Sequence, residues 1–390
     1  MYQGKYVFAQ LIEFLPRKFF QRLVMKYQGD KYVKTFSCWN QLLVMMFGQL
    51  SNCNSIRDLT AIIGAHSSKS YHLGFGIKPV SRSNLAKANE ERSCKIFEEY
   101  AYRMVEIAQK RRINKEFELE GKFYAFDSTT INLCLNVFWW AQFREHKAGV
   151  KLHVMYDVNT DIPNFFHITN AKTHDVNAMD EIPYEIGAYY IFDRGYFDLK
   201  RLYKINTLEA YFIIREKARL QYKVVCDMPI ESGNYNTIIL KDQLIIVTAP
   251  MTSKKYPKTL RRIVYYAPEL NKTFVYITNN IKLNAEQIAL LYKYRWQIEL
   301  FFKWIKQHLR IKSFWGTTEN AVRIQIYTAI TAYCLVAIVE HDLKLDRSIY
   351  DVLRILGASL LDKTPIRELF RKHSDDISDE FDKQLSLNFF

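Results

Sequence analysis

The stretch NAEQIALLYKYRWQIELFFKWIKQHLRIKSF, residues 284–314, decides how this chain is read. Tyr292, Arg295, Glu299 and Lys306 stand at offsets of 3, 7 and 14 from the tyrosine. On a continuous helix at 100° per residue they fall at about 0°, 300°, 340° and 320°, one polar stripe. Leu291, Ile298, Phe302, Ile305 and Leu309 fall beside it at about 220° to 280°, the stripe that would enter a core. A carboxylate at the rim of a buried face, among two cations and a phenol, suits metal and phosphate chemistry. An ordinary i,i+4 pair between Arg295 and Glu299 is the plainer account, so the stripe needs support from elsewhere.

Two earlier aspartates supply it. GKFYAFDSTTINL is predicted to form a β-branched and aromatic strand ending at Asp127. AYYIFDRGYFD forms a second, ending at Asp193, with Gly195 as the breaker. Strand ends are where a sheet presents functional groups to a crevice. Taken singly, each aspartate could equally cap the next turn or helix.

With these residues in place, the chain resembles the bacterial insertion-sequence transposases of the insertion-sequence-four family. Asp127, Asp193 and Glu299 look like its DDE triad, and Tyr292, Arg295, Glu299 and Lys306 look like its Tyr-Arg-Glu-Lys signature. MYQGKYVFAQLIEFLP and CWNQLLVMMFGQLSNCNSIRDL resemble the amino-terminal domain of the branch common in Bacteroides-like bacteria. FDSTTINL, FREHKAGVKLH, THD, DRGYFD and YRWQIELFFKWIKQHL follow in the family's order.

The resemblance implies an α/β fold: a ribonuclease H-like catalytic core over residues 116–340, with a β-rich insertion at about 207–283. A helical DNA-binding domain at 1–115 and a helical region with an acidic tail at 341–390 would flank it. It implies a Mg²⁺-dependent polynucleotidyl transferase and endonuclease. Asp127, Asp193 and Glu299 would hold two Mg²⁺, which Mn²⁺ could replace. Arg295 and Lys306 would clamp phosphates near the transposon end, and Tyr292 would donate to a phosphate oxygen. The implied partners are terminal inverted repeats, target DNA and a second protomer, with no membrane, in the nucleoid-bearing cytoplasm of a bacterium. The family's cut-and-paste members nick, form a hairpin, reopen it and join. The insertion has no Trp to receive a flipped base, which leaves Tyr256, Tyr265 or Tyr266. A structure-specific ribonuclease H-like nuclease shares the carboxylates without needing the stripe, and a non-catalytic DNA-binding derivative of a transposase is the other alternative.

Composition agrees. The 390 residues are 49% hydrophobic and 15% aromatic, enough for two or three domains with a large core and too apolar for disorder. The net charge is +14, and residues 1–115 hold 19 Lys and Arg against 8 Asp and Glu, which points to a polyanion. Cys38, Cys53, Cys94, Cys134, Cys226 and Cys334 form no CxxC pair and suggest neither zinc site nor disulfide framework. The start lacks the layout of a signal peptide. TAITAYCLVAIV, residues 328–339, is too short a run to span a bilayer and is expected to be a buried helix.

Helices are expected at roughly 8–26, 39–49, 55–64 and 83–112, the last capped by Ser81 or Ser83. Such a set can be a helix-turn-helix reader or a plain bundle. Strands are expected at 122–127, 150–158, 163–169 and 188–193, a hairpin turn at 159–161, and a helix at 174–182. Asp157 and Asp175 are rival carboxylates, better read as a turn former and a first-turn helix charge. His174 reads as a satisfied polar residue, Trp139 and Trp140 as core or sheet-face aromatics, and Lys147 and Lys151 as facing either DNA or solvent.

Overall fold

The computed structural model describes the chain except residues 1–3, 52, 113–119, 135, 145–146, 231–237, 309–313 and 372–390. Leu309 and the acidic tail therefore lie outside the described residues.

Six helices come first: α1 (Val7–Ile12), α2 (Arg17–Lys26), α3 (Cys38–Leu50), α4 (Ile56–Ala65), α5 (Arg82–Glu91) and α6 (Cys94–Arg111). The helix expected at 8–26 is two, because Pro16 cannot continue the first and stands at the cap of the second. The one expected at 83–112 is also two. Arg92 is extended and its guanidinium donates to Gln41 Oε1 at 2.9 Å, while Ser93 caps the new helix. Ser81, not Ser83, caps α5 by accepting from the Asn84 N–H.

The strands are β1 (Phe123–Leu133), β2 (Gln142–Arg144), β3 (Lys147–Asp157), β4 (Ile162–Asn170), β5 (Tyr189–Phe192), β6 (Tyr211–Arg215), β7 (Tyr222–Asp227), β8 (Ile238–Val247), β9 (Leu260–Ala267) and β10 (Lys272–Thr278). Among the described residues they form one sheet in the order β2-β3-β1-β5-β6-β10-β9-β8-β7, with β4 also on β3. β1, β3 and β4 are antiparallel neighbours, whereas β1, β5 and β6 run parallel. The stretch read as an insertion thus extends the same sheet through β10.

Asp127 does not end its strand as expected. β1 continues to Leu133 because β3 pairs with it along its whole length, Asp127 lying opposite Val154. What ends there is the parallel partner: β5 pairs with β1 only as far as Phe126 opposite Phe192. One residue later Asp193 leaves the sheet and heads a short 3-10 turn, Arg194–Tyr196.

Side chains alternate across β1. Phe123, Ala125 and Ile131 face a core shared with the helices, and Tyr124 and Phe126 face a second core. The second is covered by the 3-10 segment Asp175–Glu181 and by α7 (Leu199–Thr207). The chain then adds α8 (Pro250–Ser253), α9 (Ala285–Lys293), α10 (Trp296–His308), α11 (Glu319–Leu343), α12 (Ile349–Ser359) and α13 (Ile366–Leu369).

The first core runs from α1 to α12 without a break, so the amino-terminal helices and α11 bury their apolar faces in common. Gln10 Nε2 donates to the Thr364 carbonyl at 2.9 Å and Asn320 Nδ2 to the Arg92 carbonyl at 2.7 Å, which ties distant chain segments together. α11 is longer than the apolar run suggested. By length and composition it could cross a membrane, yet 94% of its most apolar window is buried in the fold. Gln325, before the run, is buried and accepts from the Trp315 N–H, and Thr328 and Thr331 within it donate to the Ile324 and Tyr327 carbonyls.

Two glycines test this joint. A Cβ on Gly357 of α12 would stand 2.6 Å from the Leu50 carbonyl oxygen, whereas one on Gly64 meets nothing within 4 Å. Gly357→Ala is expected to cost about 1–3 kcal/mol by overpacking, and Gly64→Ala to stabilise by about 0.5–1 kcal/mol through helix propensity. Urea denaturation of both variants checks this, and equal midpoints would contradict the packing of α12 on α3.

Candidate active site

Residues 284–314 do not form one helix. Asn284 starts α9 with a capping box closed by Gln287. At its end the Arg295 N–H donates to the Tyr292 carbonyl and the Ile298 N–H to the Arg295 carbonyl, three residues back rather than four. This tightened turn separates α9 from α10. Tyr292 consequently leaves the polar stripe and is buried, its ring 4.5 Å from that of Tyr276. Ile298, Phe302 and Ile305 are buried as expected.

Arg295 is the centre of what remains. Its guanidinium lies 3.4 Å from Asp127 Oδ2 and 2.5 Å from Glu299 Oε1, and over the Tyr292 ring at 5.8 Å. Burial works against its charge, but Tyr292, Glu299 and Asp127 hold its pKa above the ordinary value. Burial pushes the Asp127 carboxyl up to about 6; the Ser128 N–H and Arg295 oppose this, and Asp193 and Glu299 add to it. Asp193 therefore belongs to the same charge cluster. The Tyr292 phenol is pushed up by burial, and its hydroxyl makes no hydrogen bond of good geometry.

The donor set suits a hard divalent cation: Asp127 and Glu299 share Arg295, and Asp193 lies near enough to raise the Asp127 pKa. Among the described residues no three acidic, His or Cys side chains stand close enough to hold an ion, and Arg295 bridges Asp127 and Glu299. A cation here would take over the charge that Arg295 supplies.

The other candidates separate cleanly. Asp157 accepts from the Asn159 N–H and shapes the hairpin turn. Asp175 opens the 3-10 segment but also accepts from Ser128 Oγ at 2.7 Å and pairs with Lys151 at 3.1 Å, so Lys151 faces neither solvent nor DNA alone. His174 precedes that segment as its cap residue. The side chain of Lys147 lies outside the described residues. Trp139 is 76% exposed rather than in a core, and Trp140 donates to the Thr317 carbonyl. Tyr256 and Tyr265 are buried, the former against Tyr203 and Phe212, which removes them as open platforms for a flipped base. Tyr266 bonds Asn271.

Arg215 was missed. It ends β6 one place beyond Ile214, which pairs with Phe192; it also stacks on Phe274 and opposes the rise of the Tyr292 pKa. Placing it in the β-rich insertion at about 207–283 hid it.

Asp127 and Asp193 thus lie at the end of the parallel β1–β5 pair, and Glu299 of α10 is joined to Asp127 through Arg295. The family is then direct: the transposase DDE domain matches residues 118–335, more than half the chain, and the chain belongs to that family. A domain of unknown function matches residues 3–76. A protein named as a transposase, y4zB of Sinorhizobium fredii, is 35% identical over 272 residues, 69% of this chain and 74% of its own. The transposase for the insertion sequence element IS5377 of Geobacillus stearothermophilus is 30% identical over 58% of each chain. That for the element IS4SA of Synechocystis is 28% identical over 73% of this chain and 79% of its own. The chain is an insertion-sequence transposase of the DDE class, and so an enzyme that cuts and transfers DNA strands with divalent metal.

The raised Asp127 value has a stability consequence. Its folded pKa lies above the unfolded one, so folding favours the protonated form; that contribution is complete below about pH 4 and lost as pH rises through about 6. In chelator at pH 8, Asp127→Asn is expected to raise the urea midpoint, by about 1–3 kcal/mol. The gain should shrink as pH falls to 4; a gain that is constant with pH would mean that the charge is not the cause.

Proposed function

We propose that Asp127, Asp193 and Glu299 are the catalytic and metal-holding triad, and that the chain binds terminal inverted repeats and cuts and joins them through a hairpin. The observation that carries this is the joining of Asp127 and Glu299 through Arg295, with Asp193 near enough to act on Asp127, at the point where β5 stops beside β1. The strand order β4-β3-β1-β5-β6, antiparallel then parallel, supports a ribonuclease H-like core. Six free cysteines and a DNA substrate support action in the reducing cytoplasm, at the nucleoid. Residues 1–115 are proposed as the DNA-binding region, since Arg17, Lys18, Arg22, Lys26, Lys31 and Lys34 form an exposed basic run along α2 and the turn after it.

When bound, two Mg²⁺ ions would supply charge for water activation and for the leaving oxygen, in line with the phosphate. Asp127, Asp193 and Glu299 would hold them. Arg295, released from the carboxylates, would fork onto a phosphate, with Lys306 as a point charge and the unbonded Tyr292 hydroxyl as a donor. Two ends must be paired for joining, so the active species is proposed to be a homodimer on DNA.

Asp127→Ala, Asp193→Ala and Glu299→Ala are each expected to abolish cleavage of end-containing duplex with Mg²⁺ while leaving its binding nearly unchanged. Normal cutting by any one of them removes that residue from the triad. Arg295→Ala and Lys306→Ala should reduce hairpin formation and joining more than the first nick, because a tethered 3′ hydroxyl needs closer alignment than water. Single-turnover reactions on end-labelled duplex, resolved on denaturing gels, give the three products separately; equal loss at each step would make both residues general DNA contacts.

A further inference from the structure

Asp127 and Ser128 are neighbours on β1 and point to opposite faces of the sheet. Beyond Phe192 the β5 side of β1 carries no ladder, and the Ser128 N–H donates to Asp127 Oδ1 at 2.8 Å. On the reverse face Ser128 Oγ donates to Asp175 Oδ1 at 2.7 Å. Asp175 is in turn held by Lys151, 3.1 Å away on the paired strand β3, and Lys151 also donates to the Thr173 carbonyl at 2.8 Å. The residue that anchors the Asp127 carboxylate is thereby clamped from behind by an ion pair that cannot itself reach the Asp127 face.

From this geometry we infer that Asp175 is a positioning residue: through Ser128 it sets the orientation of the Asp127 carboxylate for metal. This rests on the triad reading above. A carboxylate that accepts a fixed backbone donor on one oxygen presents the other in one direction, and loss of such outer partners costs about 10–100-fold in metal affinity. The pair with Lys151 and the bond from Ser128 separate this aspartate from an ordinary first-turn helix charge.

The test measures Mn²⁺ affinity of the full chain by calorimetry and by the electron paramagnetic resonance signal of free Mn²⁺, alongside cleavage of end-containing duplex. Asp175→Ala and Ser128→Ala are each expected to weaken Mn²⁺ binding about tenfold, to be no worse in combination, and to leave duplex affinity intact. Asp175→Asn, which keeps the acceptor for Ser128, should recover most of the loss. Unchanged Mn²⁺ affinity in folded Asp175→Ala overturns the inference, as does loss in Asp175→Ala without loss in Ser128→Ala, which would make Asp175 a ligand. Should Asp175→Ala not fold, Ser128→Ala and Asp175→Asn decide alone. Asp127→Ala is the control: wild-type Mn²⁺ binding there would sink the triad reading and this inference with it, whereas lost binding there beside unchanged binding in Asp175→Ala would sink this inference alone.

Discussion

Asp193 and Glu299 both repel Asp127 at a partly buried point, and the guanidinium of Arg295 joins Asp127 to Glu299 there. Arg295 reaches Asp127 and Glu299 together only because the helix carrying it breaks just before Trp296. A straight helix would have kept Tyr292 on the same stripe and out of the core. With the break, Tyr292 packs on Tyr276 and presents its ring to the guanidinium. The cation is thus held from both sides, by aromatic surface and by carboxylate, in a place that a metal ion would compete for.

The sheet meets the same constraint. β1 is paired over its whole length on one side and only over its first residues on the other, so Asp127 sits where the parallel ladder ends and Asp193 turns off. This makes room for charge without opening the strand itself. The reverse face uses the freedom differently, spending its polar groups on Ser128, Asp175 and Lys151. The helices of the first third lie against α11 in one core, so they are joined mechanically to the sheet.

Much of this was legible in the residues. β-branched and aromatic runs announced β1, β5 and a β-rich stretch at about 207–283, and the apolar face of α10 was correctly placed at Ile298, Phe302 and Ile305. Other features were hidden for identifiable reasons. A helix-period argument assumes an unbroken axis, and nothing in YKYRW marks a turn of three-residue bonds. Strand length depends on partners, so Asp127 looked terminal when it is β5 that stops. Arg215 acquires its place from the pairing of β6 with β5, and a pairing cannot be read from one strand. Tyr256 looked available because burial by Tyr203 and Phe212 comes from elements far apart in the chain.

The account's central claim is that Arg295 and metal compete for one carboxylate cluster. The most direct test is anomalous diffraction at the manganese edge from crystals of the chain with an end-containing duplex and Mn²⁺. The account predicts peaks among Asp127, Asp193 and Glu299 with Arg295 turned away from both of its partners and onto a phosphate. Manganese at other acids, with Arg295 still bridging Asp127 and Glu299, would contradict it.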